Sequence, residues 1–127
     1  MIAAANLLEP AAAAKDALVS GVPASGGRAT GPARVIREPA EFGTMRSGDV
    51  LVCPYTNPAW TPLFQRAVAV VVDSGGVGSH AAIVAREYGI PAVMGTGTGT
   101  SALTDGQLVT VDGTRGRVTA AQPDSPS

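Results

Sequence analysis

The chain has 127 residues, nine Lys and Arg against ten Asp and Glu, and a formal net charge of −1; that length holds one domain around a single hydrophobic core. The balanced charge, without a Lys/Arg cluster, offers no field to gather nucleic acid or an anionic membrane. With one cysteine, Cys53, and one histidine, His80, an internal disulfide and the zinc sets built from several Cys and His are excluded, and a reducing cytoplasm is the expected setting.

The opening "MIAAANLLEPAAAAKDALVSG" has no basic leader, and Glu9, Pro10, Lys15 and Asp16 interrupt its apolar stretches. It predicts a short helix or N-terminal arm over residues 1–20, not a signal peptide. "GRATGPARVI", residues 27–36, predicts a strand with Pro32 at an edge or bulge, because proline donates nothing to a ladder. "GDVLVCP" at 48–54 and "AVAVVVD" at 67–73 predict two buried strands at the sheet's centre. The apolar run Ala67 to Val72 is far short of the roughly 20 residues that span a bilayer. Between those strands, Thr61 and Pro62 read as the cap and first turn of a short helix carrying Leu63 and Phe64.

A longer helix is punctuated at both ends by Ser79 as N-cap, Gly89 at a left-handed C-cap and Pro91 beyond. "PAVMG" then reads as a strand, making a βαβ unit with 67–73. "GTGTGTSALTDG" reads as a turn into a short helix at Ser101, although a flexible linker or a second phosphate-contacting loop fits the same residues. Residues 106–120 predict two strands joined by a Gly-rich turn, and the tail at 121–127 is expected to be disordered.

Chemistry points to the strand-to-helix turn. Gly75, Gly76 and Gly78 free the backbone to present successive N–H groups, and the helix that follows adds unpaired donors and its positive dipole end. His80 sits in that first turn, where a ring nitrogen can attack phosphorus and the N–H array can stabilise the product's charge. The apolar helix behind, Ala81 to Ala85, predicts burial nearly all round with only its first turn exposed. A histidine held for packing has little place there.

Rival readings are weaker. Gly76, Gly78 and Ala81 satisfy G-x-G-x-x-A, but no carboxylate ends the next strand to hold a ribose, and "GGVGSH" lacks the ending of a Walker A loop. Cys53 reads as core rather than as a thiol paired with His80. Arg86 lies on another helix face from His80, which suggests a structural or interface role, and Trp60 and Phe64 read as core.

"GGVGSHAAIVAREYGIPAVMG", residues 75–95, resembles the phosphohistidine signature of the phosphoenolpyruvate-utilising enzymes, and "VPASGGRATGPARVI", "GDVLVCPYTNPAWTPLF" and "LTDGQLVTVDGTRGRV" resemble other parts of the same domain in the same order. "PAWTPLF" is most similar to the phosphoenolpyruvate synthase and rifampin phosphotransferase branches, while Asn57 and Gly78 depart from the usual pattern. The resemblance implies an α/β fold: one swivelling β/β/α domain over residues 21–120. It implies that His80 accepts a phosphoryl group and delivers it elsewhere, with Gly75, Gly76, Gly78 and Ser79 shaping the phosphate site and Thr56 a further contact. No cofactor or metal is expected on this domain. An ATP-grasp-like partner domain or subunit would supply ATP or phosphoenolpyruvate with Mg2+, and another would bind the acceptor. The alternative is a non-catalytic docking or regulatory module that keeps the fold.

Overall fold

The computed structural model describes residues 17–121. Its strands are β1 (Ala17–Ser20), β2 (Val22–Ser25), β3 (Arg28–Val35), β4 (Val50–Cys53), β5 (Ala69–Val72), β6 (Ala92–Met94), β7 (Leu108–Asp112) and β8 (Arg117–Ala120). The helices are α1 (Thr61–Phe64), α2 (His80–Tyr88) and α3 (Gly99–Ala102), with 3-10 segments at Pro39–Thr44 and Pro58–Trp60. The strand order is β1-β8-β7-β3-β4-β5-β6-β2. β3 to β6 run parallel, whereas the β3/β7, β7/β8, β8/β1 and β6/β2 pairs are antiparallel.

Alternation along the central strands makes three layers. On β4 and β5, Val50, Val52, Ala69 and Val71 face a core shared with Val109 and Val111 of β7, Val118 of β8 and Val19 of β1. Leu51, Cys53, Val70 and Val72 face the opposite core, against Trp60, Leu63, Phe64 and the alanines of α2. Strands apolar on both faces belong at the middle of such a stack. The expected β/β/α domain is therefore the observed one.

The sheet's two ends meet. β1 and β2 lie at opposite ends of the strand order, yet only Gly21 separates them in the chain. A Cβ on Gly21 would strike the Met94 carbonyl, one on Gly113 the Ser25 carbonyl, and one on Gly116 the Gly21 carbonyl. Glycine is required where backbone touches backbone in this way.

Two expectations change, and two segments lie beyond the described residues. Residues 17–20 are not arm or helix but strand, because Val19 pairs with Val118 and is buried with it. Residues 1–16 and 122–127, which carry the rest of the expected arm and nearly all of the expected tail, lie outside the described residues. Pro32 is neither on an edge strand nor at a bulge: β3 pairs with β7 through residue 32 and with β4 from residue 33. The bond to the Gln107 carbonyl comes from the Ala33 N–H, at 2.8 Å, so proline costs the ladder nothing there.

Candidate functional site

Four loops gather at the carboxyl ends of the parallel strands, the place where open α/β sheets bind ligands. They follow β3, β4, β5 and β6, and His80 rises from the third of them. Ser79 caps α2, its Oγ accepting from the Ala82 N–H at 3.4 Å and donating to the Gly76 carbonyl at 2.8 Å. Gly89 closes the helix with φ of 69°. His80 is thereby the first helical residue, half-buried, and its own N–H and that of Ala81 lie in the turn where α-helical donors lack intrahelical acceptors.

The imidazole has partners on two sides. Thr56 Oγ1, from the loop after β4, lies 2.8 Å from Nδ1. Thr61 Oγ1, at the start of α1, lies 3.4 Å from Nε2. The Phe64 ring meets the imidazole edge-on, with centroids 6.4 Å apart and planes at 88°. A short bond at Nδ1 and a long contact at Nε2 orient the ring while leaving Nε2 the freer nitrogen.

Within the glycine turn, Gly75 alone of the three glycines takes a left-handed conformation, with φ of 87°, and a Cβ there would approach Ser79 Cβ to 2.9 Å. Gly76 and Gly78 keep ordinary φ and have open space around them. One reversal is enough to start the helix. Arg86, on another face of α2, donates to the Val77 carbonyl at 2.7 Å and the Ala24 carbonyl at 2.9 Å, so it is a strap between the turn and β2.

One residue serves differently from the sequence reading: Thr61 is not the cap. The cap before α1 is Asn57, whose Oδ1 accepts from the Ala59 N–H at 2.9 Å and opens the 3-10 segment; Thr61 is inside the helix and free to face His80. The Asn57–Pro58 pair carries the same cap-and-first-turn signal as Thr61–Pro62. Thr56 lies on the ring itself. The threonine pair had no signal in spacing, since Thr56 and Thr61 are 24 and 19 residues from His80. Trp60 and Phe64 are core, as expected. So is Cys53, whose thiol is pushed far up by burial and then by the nearby Asp73.

Asp73 ends β5 just before the turn and was not anticipated. Its carboxylate accepts from the Thr96 hydroxyl at 3.1 Å, the Thr100 hydroxyl at 2.6 Å and the Thr100 N–H at 3.2 Å. Its oxygens are thus tied to the loop after β6 and to the start of α3. Among the described residues no group of three or more His, Cys, Asp and Glu is placed to hold a metal ion. Nor is any helix long and apolar enough to cross a membrane.

The model of the PEP-utilising enzyme mobile domain matches residues 45–116, a span that takes in both threonines, the glycine turn and α2. The chain belongs to this family. Several curated proteins are similar in sequence. An uncharacterized phosphotransferase of Bacillus subtilis, YvkC, is 56% identical over 101 residues, covering 80% of this chain and 12% of that protein. The phosphoenolpyruvate synthase of Aeropyrum pernix is 55% identical over 106 residues, 83% of this chain and 13% of the relative. The chain therefore spans about an eighth of the length of these two curated relatives. A solution structure of enzyme I superposes with a TM-score of 0.56 at 35% identity, over 66% of this chain and 34% of that one. A phosphotransferase-family domain is the coarse functional assignment.

Proposed function

We propose that this mobile domain is a phosphohistidine carrier whose acceptor atom is His80 Nε2. The observation that carries the reading is the 2.8 Å contact between Thr56 Oγ1 and Nδ1. With the proton on Nδ1 donated to Thr56, the Nε2 lone pair points out of the ring as a nucleophile. That pair forms the N–P bond as the P–O bond to the leaving group breaks, and the electrons of that bond depart with the leaving group. The ring takes the positive charge, with its Nδ1 proton still held by Thr56. The glycine turn at Gly75, Gly76 and Gly78 and the N–H groups of His80 and Ala81 face the phosphoryl oxygens, while Ser79, whose N–H and hydroxyl both bond the Gly76 carbonyl, shapes the turn behind them.

The donor, ATP or phosphoenolpyruvate with its Mg2+, belongs on an ATP-grasp-like partner domain or subunit, and the acceptor on another. Asp73 is engaged by Thr96 and Thr100, and the reading assigns Mg2+ to the partner rather than to this chain. The name of the Aeropyrum pernix relative supports phosphoenolpyruvate as one end of the transfer.

Incubating the chain with a phosphoenolpyruvate synthase and labelled phosphoenolpyruvate or ATP tests this. Wild type is expected to take up acid-labile, base-stable label and His80→Ala none. Label retained on His80→Ala would overturn the assignment.

A further inference from the structure

The sequence predicts an α2 buried nearly all round, and the structure departs from that at the helix's end, Arg86 to Tyr88, and within its apolar run at Ile83, which is 46% exposed. Among the described residues, the three most exposed large apolar side chains are Val77 at 55%, Tyr55 at 48% and Ile83. Each lies on a segment that frames His80. Tyr55 precedes Thr56, which holds Nδ1; Val77 is in the glycine turn; Ile83 is one helical turn beyond His80 on the neighbouring face. The Tyr55 ring also leans on Trp60, next to Thr61, with centroids 5.6 Å apart. These three apolar groups, drawn from two loops and one helix face, form a collar on the segments that carry the half-buried imidazole.

We propose that this collar, Tyr55, Val77 and Ile83, is the docking surface for the domain that holds the phosphoryl donor; the inference rests on the carrier reading above. Transfer requires the donor phosphorus within about 3–3.5 Å of Nε2. His80 is half-buried, so whatever holds the donor comes down onto the exposed side chains beside it, and these are apolar. Covering them removes water from the reacting groups, which protects the phosphoryl group from hydrolysis. The occupant is a separate domain because the relatives continue far beyond the matched segment, which is 12% and 13% of their lengths. Three side chains make a small contact, which forms and releases as a carrier visiting successive sites requires. The collar supplies no charge, and the chain's net charge of −1 offers no steering field, so recognition is by apolar fit.

The test installs this chain in place of the matched 106 residues of the Aeropyrum pernix enzyme and follows phosphohistidine formation from labelled phosphoenolpyruvate. In parallel the isolated chain is treated with phosphoramidate. There Nε2 displaces ammonia at phosphorus, the N–P bond to the histidine forming as the reagent's P–N bond breaks, and no docking is involved. Tyr55→Gln and Ile83→Gln, neutral and outside the phosphate-binding turn, are expected to slow donor-domain labelling at least tenfold and to leave phosphoramidate labelling unchanged. Leu18→Asp, exposed on β1, is expected to change neither. Equal donor-domain rates for wild type and both collar variants would overturn the docking surface. So would a wild type labelled by phosphoramidate but not in the chimera, since the collar would then not fit this donor domain. A wild type labelled by neither would instead overturn the carrier reading.

Discussion

Two glycine-rich turns in this domain each start beside an aspartate at the end of a strand, and they use it oppositely. In the β7/β8 hairpin, Asp112 turns inward: Oδ1 accepts the N–H groups of Thr114 and Arg115, both at 3.0 Å, and Oδ2 pairs with the Arg115 guanidinium at 3.2 Å. That turn carries its own anion. In the β5/α2 turn, Asp73 points away to Thr96 and Thr100. There the turn's internal bonds take only the Ser79 N–H, given to the Gly76 carbonyl at 3.1 Å, and the Ala82 N–H, given to Ser79 Oγ; no carboxylate fills the donors of His80 and Ala81 at the start of α2. A turn whose donors are filled by its own side chain is structural, whereas one whose nearest carboxylate is tied elsewhere is open to a ligand.

Substitutions can break this comparison from both sides. Gly113→Ala is expected to have the largest effect on folding, about 3 kcal/mol or more, because its Cβ would meet the Ser25 carbonyl and the Ala92 backbone at 2.8 Å where the sheet closes. Denaturant melts would show the loss, and the folded fraction is expected to label normally at His80. Gly75→Ala comes next, with about 1–2 kcal/mol from the left-handed backbone and further cost from contact with Ser79. Gly78→Ala is expected to stay within about 0.5 kcal/mol, since it has ordinary φ and open space. For Gly75→Ala folding and labelling should fall together, which separates the site turn from the hairpin.

Thr56→Val tests the ring's orientation without touching a core. A tenfold or greater drop in the rate of phosphoramidate labelling is expected, about 1.4 kcal/mol in activation free energy, with stability nearly unchanged and rate restored by Thr56→Ser. The smallest effect belongs to Asp112. Burial raises its carboxyl pKa, but hydrogen bonds from the Arg115 backbone and side chain and from Thr114 outweigh this and hold it below the ordinary 3.8. A depressed folded pKa contributes stability that is full above the unfolded value and is lost as pH falls through the folded value. Wild type is therefore expected to exceed Asp112→Asn in melting temperature at pH 7, and the gap to narrow as pH falls below about 4.

Much of the local structure was legible. The Ser79 cap, the Gly89 reversal and Pro91 are signals that act within a few residues, and α2 begins and ends where they say. β4 and β5 were readable as central because they are apolar on both faces. Less of the site was legible. Thr61 was read as a cap because nothing in "TNPAWTP" distinguishes the first Pro-preceding polar residue from the second, and the observed cap is Asn57. Asp73 drew no notice because its partners are 23 and 27 residues away. The near-complete burial expected of α2 failed at Ile83, since periodicity tells how apolar a helix is but not how much of it a single sheet can cover.

By itself the sequence determined the βαβ unit, the glycine turn ahead of His80 and the membership of residues 45–116 in the mobile-domain family, because these depend on residues close together in the chain. Only the tertiary structure decided that Thr56 and Thr61 would hold the two ring nitrogens, that Asp73 would turn from the site, and that Gly21, Gly113 and Gly116 would close the sheet. Those facts follow from strand order. β4 lies parallel to β5, which delivers the loops after both strands to one end of the sheet, and β2 returns to pair with β6. Such adjacency is chosen by burying both faces of the central strands at once, a condition that no short window of sequence contains.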